Sequence, residues 1–129
     1  ADVTNREEVD SMVEYAVKEF GGIDVVVNNA GISQIKPFAD ITEEDWDNIM
    51  NVNLKGVYNC TKGIIDNMIH HKSGKIINIS SVWGMVGASN EVAYSASKAA
   101  IIGFTKAFFV LFIVFSSLNH YWKMSFFLL

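Results

Sequence analysis

Apolar residues recur at helical spacing in three segments of the chain, which predicts three helices. The first begins after Thr4, which together with Glu7 has the spacing of a capping box and is therefore the expected N-cap. The second begins after Thr42 and extends to about residue 71, and the glycines inside it indicate a kink. The third covers residues 91–107.

Two short runs of mostly apolar residues lie between these helices. Residues 23–28 and 75–80 are rich in Val and Ile, which is typical of parallel strands that are covered on both faces. Residues 82–91 have no such pattern and are predicted to form a loop. The order helix–strand–helix–strand–helix indicates a βαβ crossover, and therefore an α/β fold with two parallel strands.

The composition is that of one globular domain. The chain has 129 residues, of which 50% are hydrophobic and 19% are charged, and its formal net charge is −4. This acidity argues against a nucleic-acid partner, because phosphate contacts require clustered Lys and Arg. The single cysteine, Cys60, excludes an internal disulfide and a cysteine-based zinc cluster, and it fits the reducing environment of the cytoplasm.

The composition changes after residue 106. All 14 acidic residues lie at or before Glu91, whereas residues 107–129 contain half of the aromatic residues, one lysine and no acid. The uncharged stretch between Lys106 and Lys123 is shorter than the roughly 20 apolar residues that span a bilayer, so we expect no membrane association. Residues 107–129 are interpreted as an apolar tail that is distinct from the domain at 1–106.

The candidate chemistry lies at the ends of the two predicted strands. Tyr94 and Lys98 are four residues apart on the third helix and share one face. An ammonium group beside a phenol favours the phenolate, so this pair is suited to proton transfer. Ser81 follows the second strand and Asn28–Gly31 follow the first. Because ligands bind at the carboxyl ends of parallel strands, these residues are expected to face one crevice.

Plainer interpretations exist for several of these residues. A Tyr/Lys pair four residues apart is most often a solvated contact, and Asn, Gly and Ser are common where strands turn into loops. No metal site is predicted, because His70 and His71 point in different directions from a helix and no third ligand is near them. The motifs taken together, rather than any single residue, decide between these interpretations.

Five motifs follow one another along the chain: Asp2-Val3-Thr4, Asn28-Asn29-Ala30-Gly31, Asn51-Val52-Asn53, Ile79-Ser80-Ser81 and Tyr94-Ser95-Ala96-Ser97-Lys98. In order and spacing, residues 1–106 resemble the short-chain dehydrogenase/reductase family. The resemblance implies a Rossmann-like doubly wound parallel sheet, of which the chain holds the central portion, a βαβ core with flanking helices. The family's N-terminal phosphate loop and its C-terminal part have no counterpart in 1–106, and residues 107–129 are interpreted as non-homologous.

The resemblance also implies a role for each matching residue. Tyr94 would donate the proton in carbonyl reduction, and Lys98 would stabilise the phenolate and hold the ribose hydroxyls of the cofactor. Ser81 would donate a hydrogen bond to the substrate carbonyl, and Asn53 would hold a water that links Lys98 to solvent. The cofactor contacts implied are those of Asp2, Val3, Asn28, Ala30 and Gly31, together with Tyr94 and Lys98.

The function implied is that of an NAD(P)-dependent oxidoreductase which reduces a carbonyl to an alcohol. The segment 81–94 is most similar to bacterial reductases of 3-oxoacyl groups on acyl carrier protein, which favours NADP over NAD and a homotetramer for intact relatives. A reductase that modifies an elongation-factor side chain has a similar segment and is an alternative. A second alternative is a non-catalytic remnant that associates with intact relatives, since this chain alone is expected to be poorly soluble and inactive.

Overall fold

A three-stranded parallel sheet forms the centre of the fold. The computed structural model describes the backbone of residues 1–118 and 123–128, with the side chains of 1–109 and 128. In this part of the chain the strand order is β1-β2-β3, and the strands are β1 (Val25–Asn28), β2 (Ser73–Asn78) and β3 (Lys123–Leu128). The predicted parallel α/β fold is therefore confirmed. The third strand was not predicted, because an apolar run without clear periodicity does not separate helix from strand.

The described part of the chain has five α-helices: α1 (Arg6–Phe20), α2 (Glu43–Met50), α3 (Gly56–His71), α4 (Trp83–Val86) and α5 (Val92–Leu118). The short helix α4 lies in the segment predicted to be a loop, and α5 extends beyond its predicted end at residue 107. Among the described residues, no helix combines the length and the hydropathy needed to cross a bilayer.

The N-terminus of α1 differs from the sequence prediction by one residue. Asn5, not Thr4, is the N-cap, and its side-chain oxygen accepts hydrogen bonds from the backbone N–H groups of Glu7 and Glu8 at 3.0 and 3.3 Å. One amide oxygen thus satisfies two of the helix's unpaired donors, which explains why Asn5 takes the capping position. The backbone N–H of Thr4 donates instead to the carboxylate of Asp2 at 2.8 Å.

The predicted kink in the second helix is a π-helical turn. Residues Asn51–Lys55 form this turn between α2 and α3, so the irregularity precedes Gly56. Gly56 has a separate reason to be glycine, because an added Cβ would lie 2.7 Å from Cγ2 of Val3. The absence of a side chain therefore allows the Asp2-Val3 segment to pack directly on the start of α3.

The core lies on one face of the sheet. Ile64, Ile65 and Met68 of α3 pack on Ile76 of β2. The surrounding apolar residues come from α1, from β1 and the segment before it, and from α5: Val13, Ile23, Val26 and Phe108.

The other face of β1 is open in the described part of the chain. Val25 and Val27 point away from Val26 and are 46% and 53% exposed, so the expectation that this strand is covered on both faces is wrong for the residues described. Successive right-handed crossovers that advance in one direction across a sheet place their helices on the same face, which explains the asymmetry.

Candidate active site

The site is built where β1 and β2 end side by side. Asn28 and Asn78 are paired in register at the last position of the two strands, and the backbone N–H of Ile79 donates to the carbonyl of Asn28 at 3.1 Å. The loops that follow hold the predicted motifs at 29–31 and 79–81. The predicted meeting of the two strand ends is therefore present.

Lys98 is buried beside these strand ends. Only 4% of the residue is exposed, and its Nζ donates a hydrogen bond to the carbonyl of Ile79 at 2.8 Å. The same Nζ lies 5.7 Å from the centroid of the Tyr94 ring, one helical turn earlier on α5. Burial lowers the pKa of Lys98, because an ammonium group loses hydration there.

Ser81 lies on a segment that is packed directly against α5. The hydroxyl of Ser80 donates to the carbonyl of Lys98 at 2.8 Å, and an added Cβ on Gly84 would lie 2.7 Å from the carbonyl carbon of Lys98. The Ser81 Oγ accepts from the backbone N–H of Trp83 at 3.2 Å, which leaves the hydroxyl hydrogen of Ser81 available to donate.

Asn53 is fully buried in the π-helical turn. Its Oδ1 accepts from the backbone N–H of Ile32 at 2.7 Å, and its Nδ2 donates to the Ile32 carbonyl at 2.9 Å and to Ser97 Oγ at 3.0 Å. Gly31 lies against this group, because an added Cβ would be 3.3 Å from Asn53 Oδ1 and 3.5 Å from Lys98 Nζ. Asn53, Gly31 and Lys98 therefore converge on one point.

A second group of predicted residues lines a small cavity of about 50 Å³ between the end of β1 and the start of α3. Val3, Asn28 and Ala30 are in its wall, and the remaining lining residues are Val27, Asn29, Gly56, Val57 and Cys60. Burial raises the pKa of the Cys60 thiol, which favours the protonated and less reactive form. Asp2 is outside this wall; the hydrogen bond from the Thr4 N–H lowers the pKa of its carboxyl group.

The loop between Gly31 and α2 is held by Asp45. The carboxylate of Asp45 accepts from Lys36 Nζ at 2.6 Å and from Gln34 Nε2 at 2.8 Å, while it also closes the capping box with Thr42. The contact with Lys36 is the main cause that lowers the pKa of Asp45. The backbone N–H of Lys36 donates to the carbonyl of Asn90 at 2.8 Å, so the same loop is tied to the segment that precedes α5.

A family model described as short chain dehydrogenase matches residues 1–110 of the chain. The chain belongs to the short-chain dehydrogenase family. Members similar to it include the 3-oxoacyl-[acyl-carrier-protein] reductases of Thermotoga maritima (47% identical over 104 residues, 81% of this chain and 42% of the relative) and Synechocystis (46% over 106 residues, 82% and 43%). The reductase of Staphylococcus aureus is 43% identical over 107 residues, 83% of this chain and 44% of the relative. The chain therefore spans less than half the length of these curated relatives.

In this short-chain dehydrogenase, the predicted site residues fall into two places. Lys98, Tyr94, Asn53 and Gly31 lie around the start of α5, and Ser81 is on the loop packed against it. Val3, Asn28 and Ala30 surround the cavity beside α3. Many side chains of the tail at 107–129 lie outside the described residues. That this tail is separate from the domain at 1–106 therefore stays a prediction.

Sequence reasoning missed three buried polar side chains that hold the predicted Asn28 in place, namely Thr61, Asn78 and Thr105. Asn28 Nδ2 donates to Asn78 Oδ1 at 2.7 Å and to Thr61 Oγ1 at 3.2 Å, and Asn78 Nδ2 donates to Thr105 Oγ1 at 2.9 Å. All four residues are buried. The sequence did contain a hint of this network. Thr61 and Asn78 are polar residues in segments whose pattern predicts burial, and a buried polar side chain requires a hydrogen-bond partner.

Proposed function

We propose that this chain carries the proton-transfer site of an NAD(P)-dependent carbonyl reductase. The observation that carries the proposal is the buried Lys98 Nζ, which lies beside the Tyr94 ring and against Gly31 at the ends of two parallel strands. Family membership supports the same reading, since the matched relatives are named as reductases.

Tyr94 is the proton donor in this proposal. The nearby ammonium of Lys98 stabilises the phenolate that remains after the proton has left. Ser81 donates its hydroxyl hydrogen to the substrate carbonyl oxygen and so stabilises the negative charge that develops there. Asn53 holds the Gly31-Ile32 segment in place beside Lys98 and connects the site to the π-helical turn.

The residues present fit a nicotinamide cofactor. An ammonium group has three N–H donors, and Lys98 uses one of them on Ile79, so the others are available for ribose hydroxyls. Asp2 and Val3 are the proposed contacts for adenine, and Asn28, Ala30 and Gly31 are proposed to line the cofactor; Val3, Asn28 and Ala30 lie in the wall of one cavity. The bound nicotinamide would supply the hydride, while the chain supplies the proton and the orientation.

The substrate class we propose is a 3-oxoacyl group on acyl carrier protein. The support is that three relatives, 43–47% identical to this chain, are named as reductases of that group. A preference for NADP over NAD is part of the same proposal and is what the resemblance to those reductases implies. A cytoplasmic location and assembly with further subunits belong to the same proposal, because they are what the resemblance to intact reductases implies.

The test is a chimera in which residues 1–106 replace the matching segment of the Thermotoga maritima reductase. We expect NADPH-dependent reduction of an acetoacetyl group on acyl carrier protein. Tyr94→Phe should lower kcat by about 10²–10⁴-fold, because the proton donor is lost, while the Kd for NADPH changes by less than about threefold. Tyr58→Phe, at an exposed tyrosine of α3, is the matched control. A Tyr94→Phe chimera that keeps most of its rate would exclude the proposed role.

A further inference from the structure

Ser97 lies between the two residues to which the proton-transfer role is assigned on α5, and the proposed mechanism does not use it. The residue is fully buried. Its hydroxyl donates a hydrogen bond to the carbonyl of Tyr94 at 2.7 Å and accepts one from Asn53 Nδ2 at 3.0 Å. The side chain therefore connects α5 directly to the π-helical turn, over a separation of 44 residues between Asn53 and Ser97.

The hydrogen-bond pattern gives the Asn53 amide only one satisfied orientation. Its Nδ2 has two hydrogens, which go to the Ile32 carbonyl and to Ser97 Oγ. Because the single hydroxyl hydrogen of Ser97 is used by the Tyr94 carbonyl, Oγ presents only lone pairs to Asn53. A rotated amide would place Oδ1 against those lone pairs and leave both N–H groups without acceptors.

We propose that Ser97 is a positioning residue that fixes the orientation of the Asn53 amide. Through Asn53 it holds Ile32, and with it the neighbouring Gly31, against the buried Lys98 Nζ. The effect on proton transfer rests on the proposed function, whereas the connection between Ser97, Asn53 and Ile32 does not.

Ser95 provides a matched control on the same helix. Its Oγ accepts a hydrogen bond from the backbone N–H of Ala88 at 3.1 Å, and the residue is half-buried. Ser95→Ala therefore removes the same atoms as Ser97→Ala from the same helix, but it leaves the hydrogen bonds of Asn53 in place.

The first experiment measures backbone hydrogen exchange in the 129-residue chain. Ser97→Ala should speed exchange at the Ile32 amide by about tenfold relative to the sheet amide of Lys75, because a buried N–H of Asn53 loses its acceptor. Ser95→Ala should leave that ratio unchanged. Asn53→Ala should speed exchange at Ile32 as well, and adding Ser97→Ala to it should have no further effect. An unchanged ratio in Ser97→Ala would overturn the proposal, and the ratio corrects for any global loss of stability.

The second experiment measures kinetics in the reductase chimera described above. Ser97→Ala should lower kcat by about tenfold with little change in the KM for NADPH, and the effects of Ser97→Ala and Asn53→Ala should not add. A normal kcat together with faster exchange at Ile32 would overturn the positioning role in catalysis. An inactive parent chimera would count against the proposed function alone, because the exchange experiment still decides whether Ser97 fixes Asn53.

Discussion

Asn78 is a buried amide at the end of β2, and both ends of its side chain are hydrogen-bonded. Its Oδ1 accepts from Asn28 and its Nδ2 donates to Thr105. The backbone N–H of the next residue, Ile79, donates to the carbonyl of Asn28, and the carbonyl of Ile79 accepts from Lys98. A single amide thus contributes to the position of the carbonyl that holds the site's lysine.

Asn78→Ala should therefore destabilise the chain strongly. The substitution leaves one N–H of Asn28 buried without an acceptor and removes a donor from Thr105, which should cost about 2–4 kcal/mol in the free energy of unfolding. Urea denaturation measures this value. Asn48→Ala, at an exposed position of α2, should change it by less than about 0.5 kcal/mol. Equal effects of the two substitutions would contradict the assigned network.

At the scale of elements, two close contacts determine how the site is assembled. The short helix α4 approaches α5 so closely that Gly84 has no room for a side chain. The loop that follows Gly31 is held between Asp45 at the start of α2 and Asn90 before α5. Both contacts join segments that are distant in sequence, and both can be tested separately.

Gly84→Ala should separate α4 from α5. The added Cβ would lie 2.7–2.9 Å from backbone atoms of Lys98 and Ala99, which cannot rotate away, so we expect a loss of about 1–3 kcal/mol in the free energy of unfolding. Gly103→Ala is the opposite case on α5, because nothing lies within 4 Å of its added Cβ. That change should stabilise the chain by about 0.5–1 kcal/mol. Thermal unfolding of both variants would show whether the signs differ as expected.

The contact of Asp45 with Lys36 should make stability depend on pH in acid. The pKa of the folded carboxyl group is lowered from its ordinary value of 3.8, so the unfolded state binds the proton more readily. The stabilisation is complete at about pH 5 and above, and it is lost as the pH falls from there through the lower folded pKa. Urea denaturation between pH 2 and pH 6 should show a smaller acid loss in Asp45→Asn. The exposed Asp47→Asn on the same helix should retain the full loss.

At the scale of the whole molecule, the distribution of apolar residues between the two faces of the sheet is uneven. Val26 packs against the core formed by α3 and β2, whereas its neighbours Val25 and Val27 are about half exposed. In the described part of the chain, β1 is also the outer strand of the sheet. An exposed apolar surface next to an edge strand is a recognised cause of self-association.

Adjacent substitutions on β1 should therefore have different effects. Val26→Lys places a charge at a partly buried position against the core and should cost about 2–3 kcal/mol in the free energy of unfolding, a large fraction of the stability of a marginal domain. Val27→Lys should change the free energy of unfolding by less than about 1 kcal/mol and should reduce self-association of the 129-residue chain. Analytical ultracentrifugation and urea denaturation measure the two effects. Greater destabilisation by Val27→Lys would mean that the open face is assigned incorrectly.

The elements that local patterns control were predictable from the sequence. The spacing of apolar residues gave the main helices and the strands β1 and β2, and the Tyr94–Lys98 pair follows from the helical repeat. The choice between two adjacent residues that can both cap a helix was harder to predict. At the start of α1, the side chain of Asn5 rather than that of Thr4 accepts hydrogen bonds from the free N–H groups. The strand β3 was missed because the apolar segment before it has no periodicity that marks where a helix ends.

By itself, the sequence determined the family, the α/β class and the candidate residues of the site, because these depend on motifs and on short-range periodicity. Only the tertiary structure decided which partners those residues have. Asn53 contacts Ile32 and Ser97, which are 21 and 44 residues away, and Lys98 contacts the carbonyl of Ile79. These contacts form only when the strand ends and the helices pack together. A buried amide must find hydrogen-bond partners among the groups that this packing brings next to it, and those groups are distant in sequence.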